Sequence, residues 1–199
     1  FQLQKRKYLI YKGEHVIEMN MSKVLVIHPQ DKSTEMLKAI YEGKGYDVIN
    51  DGCIAQEDLV RAIEEHDTII MLGHGTPYGL VSWNRATGEF RYIINDSHVD
   101  LLKTKETYSM WCHSDEFFES HGMKGFHSGM IISEEMEARM YGIIEFNDEE
   151  IAESMMPLMY AMHDTIEMED LQEMKRIILE RYNANDPVTW FNRKNIFIL

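Results

Sequence analysis

The sequence predicts an α/β fold, a three-layer sandwich with helices on both faces of a mostly parallel central sheet. Two observations predict it. Short, unbroken apolar runs of strand length alternate with longer segments of helical periodicity, which is the pattern of consecutive β-α-β units. The run at 24–27 is continuously apolar, as strands buried on both faces are, and further strand-length runs lie at 68–72 and 107–111. Two of these runs, Thr68–Leu72 and Thr107–Trp111, lead into side chains with reactive chemistry, His74 and Cys112.

Residues 1–20 stand apart. Lys5-Arg6-Lys7 is basic in an otherwise acidic chain, and Tyr8–Tyr11 and Glu14–Ile17 around Gly13 predict a β-hairpin. The α/β rhythm begins after Met21, so 1–20 is expected as an extension and 21–199 as one domain. Lys23–Ile27 predicts the first core strand, followed by a turn at His28-Pro29-Gln30-Asp31. Asp31 or Ser33 caps the next helix, whose apolar stripe is Met36, Leu37, Ile40 and Tyr41, and Gly43 and Gly45 end it. Tyr46–Ile49 is the second strand, and Gln56–Glu65 a second helix with Leu59, Val60 and Ile63 inward. Thr68–Leu72 is the third strand.

The rhythm then breaks. Leu80–Trp83 and Phe90–Ile94 flank the turn-rich Asn84–Glu89, which predicts a β-hairpin inserted after the third core strand. A short helix over 97–103 returns the chain to the Cys112 strand. Downstream the pattern predicts a helical turn at 115–120, a fifth strand within 126–133 centred on Gly129–Ser133, and helices over 134–141, 148–162 and 170–182. It also predicts a stop at Asn183–Pro187 and an apolar edge strand or docked tail at Ile196–Leu199. The methionines of the later helices recur at helical spacing and read as core filler.

Lys and Arg total 20 against 34 Asp and Glu, a net charge of −14, which opposes nucleic-acid binding because that needs a basic footprint. No apolar run reaches membrane-spanning length. Two cysteines, Cys53 and Cys112, make no disulfide framework. A cytoplasmic location is therefore expected, with no membrane partner and no cofactor. No phosphate loop of the usual spacing and no Gly-x-Ser-x-Gly elbow is present. His74, Cys112, His113, His121 and His127 are ligand types, but their spacing matches no zinc signature, so no metal is expected.

What remains is His74 and Cys112. His74 lies between Gly73 and Gly75, where the backbone turns sharply and approaches a ligand closely. In an open α/β sheet, ligands bind at the carboxyl ends of the strands. A thiol beside an imidazole loses its proton more readily, and the thiolate is the nucleophile.

An apolar strand, then His74-Gly75, then a second apolar strand ending in Cys112 resembles the caspase-like cysteine peptidases, the group of caspases, legumain, gingipains, clostripain and separase. The resemblance covers Lys23 to about Tyr141. It departs from the group after the motif: many members have a small residue before the cysteine and a glycine soon after, where this chain has Trp111 and His113-Ser114-Asp115. The resemblance implies a caspase-like fold, a peptide or protein substrate, Cys112 as nucleophile, His74 as its proton partner, and an oxyanion site from the N–H groups of Gly75 and Cys112. An acidic pocket would select Arg or Lys before the cut, with Asp31, Asp115 and Glu116 as candidates.

Two other readings stay open. Cys112-His113 after a strand is similar to the Cys-His pair of the DJ-1/PfpI family, in which His113 matters and His74 does not. The chain is otherwise a catalytically inactive α/β binding module, with Cys112 a small buried hydrophobe.

Overall fold

The computed structural model describes residues 8–12, 15–19, 22–29, 31–84 and 88–199, with the backbone alone for 8–12, 15–19 and 84. The Lys5-Arg6-Lys7 run, the Gly13 turn and the centre of the Asn84–Glu89 loop lie outside these residues. In chain order, β1 (Tyr8–Lys12) and β2 (His15–Met19) pair as the expected antiparallel hairpin. The core begins with β3 (Val24–Ile27), a 3-10 helix over Lys32–Ile40, β4 (Asp47–Ile49), α1 (Gln56–Glu64) and β5 (Thr68–Leu72). A three-stranded insertion follows, β6 (His74–Thr76), β7 (Gly79–Asn84) and β8 (Glu89–Tyr92). Then come α2 (Val99–Leu102), β9 (Glu106–Met110), α3 (Ser114–His121), β10 (Phe126–Ser128), α4 (Glu135–Met140), α5 (Asp148–Thr165), α6 (Leu171–Arg181), α7 (Pro187–Lys194) and β11 (Ile196–Ile198).

The central sheet runs β11-β10-β9-β5-β3-β4. β3, β4, β5, β9 and β10 are parallel, and β11 runs antiparallel on β10. All five residues of β5 are buried, as a strand covered on both faces requires. Its alternate side chains divide the core. Ile70 and Leu72 join Val26, Tyr108 and Met110 beneath the 3-10 helix, α5 and α6, while Ile69 and Met71 join Leu25 and Ile27 beneath α1, α2 and α3. Helices on both sides of a mostly parallel sheet make the three layers. Each such fully buried aliphatic side chain stabilises the fold by about 1.5–3 kcal/mol.

The insertion is the expected hairpin, extended by β6: β7 pairs antiparallel with β8 and with β6. It places His74 at the start of an edge strand directly after the third core strand. One side of the insertion is tied to the domain, with Leu80 in the core and Arg91 donating to the Ile54 carbonyl at 2.8 Å.

Two expectations are corrected. The fifth strand is Phe126–Ser128, and Gly129–Ser133 is irregular backbone. The run is apolar because Ile131 and Ile132 fill the core as a loop, pinned where Asn192 bonds both the N–H and the carbonyl of Ile132, at 2.8 and 3.0 Å. Pro187 is not a stop but the first residue of α7, with Asp186 as its N-cap accepting from Thr189 N. Proline suits that position because its missing N–H has no intrahelical partner there. The helix expected after β3 is present, capped by Asp31, and is 3-10 over its whole length.

Candidate active site

Gly73 (φ 135°) turns the chain out of β5, and its N–H donates to the Met110 carbonyl at 3.1 Å, stitching the ends of β5 and β9 together. His74 follows. Its Nε2 lies 2.8 Å from Ser33 Oγ, and Ser33 Oγ donates to Asp31 Oδ1 at 2.6 Å. A hydroxyl has one proton, and Ser33 spends it on Asp31. Ser33 therefore accepts from Nε2–H, which leaves Nδ1 as the basic nitrogen of His74. Asp31 also caps the 3-10 helix through Ser33 N at 2.8 Å, so one carboxylate fixes both the helix start and, through Ser33, the imidazole.

Cys112 comes two residues after β9. His113 adopts a left-handed conformation (φ 67°) and turns the chain into α3. Interlocking bonds fix the turn: Ser114 Oγ donates to Ser128 O at 2.7 Å, Ser128 N to Ser114 Oγ at 2.9 Å, and Ser128 Oγ to Trp111 O at 3.0 Å. Trp111 is buried. A Cβ on Gly75 would meet its ring at 1.9 Å, so residue 75 must be glycine for the His74 strand to lie against the indole. Trp111 Nε1 also donates to Thr76 O at 3.3 Å. The large residue before the cysteine thus clamps the His74 strand to the Cys112 turn.

His74 and Cys112 line one small cleft with Thr34, Trp111, Ile131 and Ser133, enclosing about 20 Å³, room for about one water molecule. Among the described residues no hydrogen bond joins them. The Cys112 thiol instead donates to the Ile131 carbonyl at 3.5 Å and faces Glu137 Oε1 at 3.9 Å. Burial, and then the Glu137 charge, push this thiol up to about 12, so it is protonated at neutral pH. Glu137 is held by Ser133, whose N–H and Oγ donate to Oε2 at 2.7 and 3.0 Å. Burial raises its carboxyl above the usual range, opposed by those bonds and by His74.

Of the other expected residues, Gly75 lies beside the cleft on Trp111. Asp31 is committed to Ser33 and stands 3.6 Å from His74 Nε2. Asp115 and Glu116 begin α3 and do not line the cleft. Glu116 pairs with His113 Nδ1 at 2.9 Å on the surface. His113, Asp115 and Glu116 offer ligand atoms within 4.8 Å of one another. The histidines weighed as ligands are not gathered: His121 pairs with Asp96, and His127 stacks between Phe118 and Phe197. Ser33 was legible only as a cap. Glu137 and Ser133 gave no signal beyond a serine four residues before a glutamate at a helix start.

The chain matches no known protein-family model, and no curated protein matches it in sequence. Among the described residues no helix is long and apolar enough to cross a membrane.

Proposed function

We propose that the protein is a cysteine peptidase-like hydrolase of the caspase-like type, with Cys112 and His74 as its dyad. One observation carries this reading: the two side chains follow neighbouring parallel strands, β5 and β9, and line the same cleft. His74 after the third core strand and Cys112 after the fourth is the order that the resemblance requires. The fixed Nε2–H tautomer adds support, since it leaves Nδ1 able to take a proton.

In this reading the Cys112 thiol rotates from Ile131 and gives its proton to His74 Nδ1. The thiolate attacks the carbonyl carbon of the scissile peptide, and the oxyanion is held by backbone N–H groups, with Gly75 and Cys112 as candidates. His74 returns its proton to the amine nitrogen as the C–N bond breaks, so that the amine leaves and the acyl group stays on Cys112 Sγ as a thioester. Water, deprotonated by His74, then hydrolyses the thioester, releasing the acid and restoring the thiol.

The test is digestion of a mixed peptide library, read by mass spectrometry. Cleavage is expected from the parent and from His113→Ala, and none from Cys112→Ala. Cleavage that survives Cys112→Ala sinks the reading, and a dependence on His113 alone transfers it to the DJ-1-like pair.

A further inference from the structure

Among the described residues, Cys112 makes no hydrogen bond to the histidine that would deprotonate it, although both line one cleft. Its sulfur is directed at the Ile131 carbonyl and at Glu137 Oε1, at 3.5 and 3.9 Å. Glu137 is set in place for this contact, because Ser133 N and Oγ both grip Oε2 and leave Oε1 to the thiol. A thiol facing a carboxylate keeps its proton, since losing it would set two anions side by side. The charges bearing on this thiol are Glu137 and Glu134 from the α4 side. His74, across the cleft, acts in turn on Glu137.

The element that carries the carboxylate is slight. α4 is six residues long, with its first N–H, that of Glu135, held by Asp148 Oδ1 at 2.7 Å. Glu137 and Ala138 face inward, while Met136 and Met140 are 69% and 76% exposed. A small displacement of α4 would take Glu137 from Cys112 without disturbing the strands that place Cys112 and His74.

We propose that Glu137 is an autoinhibitory latch: Ser133 holds its carboxylate on Cys112 and keeps the thiol engaged there in most molecules, so that the parent works slowly, through the fraction in which α4 has withdrawn. This rests on Cys112 as the nucleophile of the function proposed above. Glu137 is a positioning residue here, acting on the reaction through Cys112.

The experiment is iodoacetamide labelling of the full chain across pH, with mass spectrometry separating Cys112 from Cys53. Glu137→Gln keeps the shape and an acceptor for Ser133 but removes the charge. It is expected to label Cys112 about tenfold faster at neutral pH, with the labelling midpoint about one pH unit lower. Ser133→Ala, which loosens the carboxylate, is expected to move both in the same direction by a smaller factor. It decides the matter if circular dichroism shows Glu137→Gln unfolded. Rates equal to or below the parent's in the folded variants overturn the latch. Adding His74→Ala to Glu137→Gln separates the two proposals. If the gain is lost, both stand; if it persists, the latch stands and the dyad falls.

Discussion

His28 and His74 follow neighbouring strands of the same sheet, β3 and β5, and each reaches into the same 3-10 helix. Adjacent residues of that helix receive them, Thr34 for His28 and Ser33 for His74. The likeness ends there. His28 is 3% exposed and uses both ring nitrogens, Nδ1 with Tyr41 Oη at 3.0 Å and Nε2 with Thr34 Oγ1 at 3.3 Å. Burial, and then the charge of Lys38, lower its pKa to about 4, so it is a neutral strut at physiological pH. His74 is 19% exposed, spends only Nε2, and opens onto the cleft with Cys112. A histidine at a strand end is therefore a structural part or a chemical one according to how many of its nitrogens the fold consumes.

The sharpest way to break that contrast is to exchange the losses. His74→Ala is expected to lower kcat/KM for a cleaved peptide by about 10²–10⁴-fold, the usual worth of a general acid–base, while leaving the melting temperature nearly unchanged. His28→Gln is expected to do the reverse. It strands Tyr41 or Thr34 in the interior and lowers the melting temperature by roughly 5 °C, with the catalytic rate of the folded protein preserved. If both variants lose activity alike, His74 is one more strut.

Acid provides the second probe. The pKa of His28 falls from 6.5 unfolded to about 4 folded, so between these values the unfolded chain binds more protons. Stability then falls as pH falls through that window and is complete above it, with roughly 3 kcal/mol at stake. Urea unfolding at successive pH values is expected to show this slope in the parent and a shallower one in His28→Gln. Equal slopes would mean that His28 does not enter the native state neutral.

How much of this was legible in the sequence depends on where each contact is made. β5 was legible because a strand buried on both faces is largely apolar, whereas β9, Glu106–Met110, alternates polar and apolar residues although Thr107 and Ser109 are buried; the glycines around His74 mark a turn whatever surrounds it. The flanking glycines single out His74 over His28, but the partners that separate the two chemically, Tyr41 and Ser33, are brought near by a helix whose 3-10 character has no clear pattern signature. Gly129–Ser133 read as a strand because burial selects Ile131 and Ile132 equally in a loop; the deciding residue, Asn192, lies 60 residues on. α7 is hidden in the sequence because Asp186-Pro187 serves equally as a terminator and as a cap and first turn. Glu137 reaches Cys112 from 25 positions further along the chain, a pairing that composition and periodicity do not encode. Trp111 is the converse case. It departs from the small residue common before the cysteine in caspase-like peptidases, and its ring against Gly75 gives that departure a physical role.

The smallest effect tests the link that sets His74 apart, its bond to Ser33. Ser33→Ala removes the acceptor of Nε2–H but neither nitrogen of His74 nor the Asp31 carboxylate. The imidazole keeps its place in the cleft but loses the tautomer that presents Nδ1 as base. A fall of about tenfold in kcat with little change in KM is expected, the scale seen when a partner that orients a functional histidine is lost. The acid limb of the pH–rate profile should shift as well. Ser33→Thr retains the hydroxyl and should restore most of the rate. A merely structural serine would predict a lower melting temperature with kcat and the pH profile intact. That outcome would detach His74 from Asp31 and leave its single remaining distinction from His28 the cleft it faces.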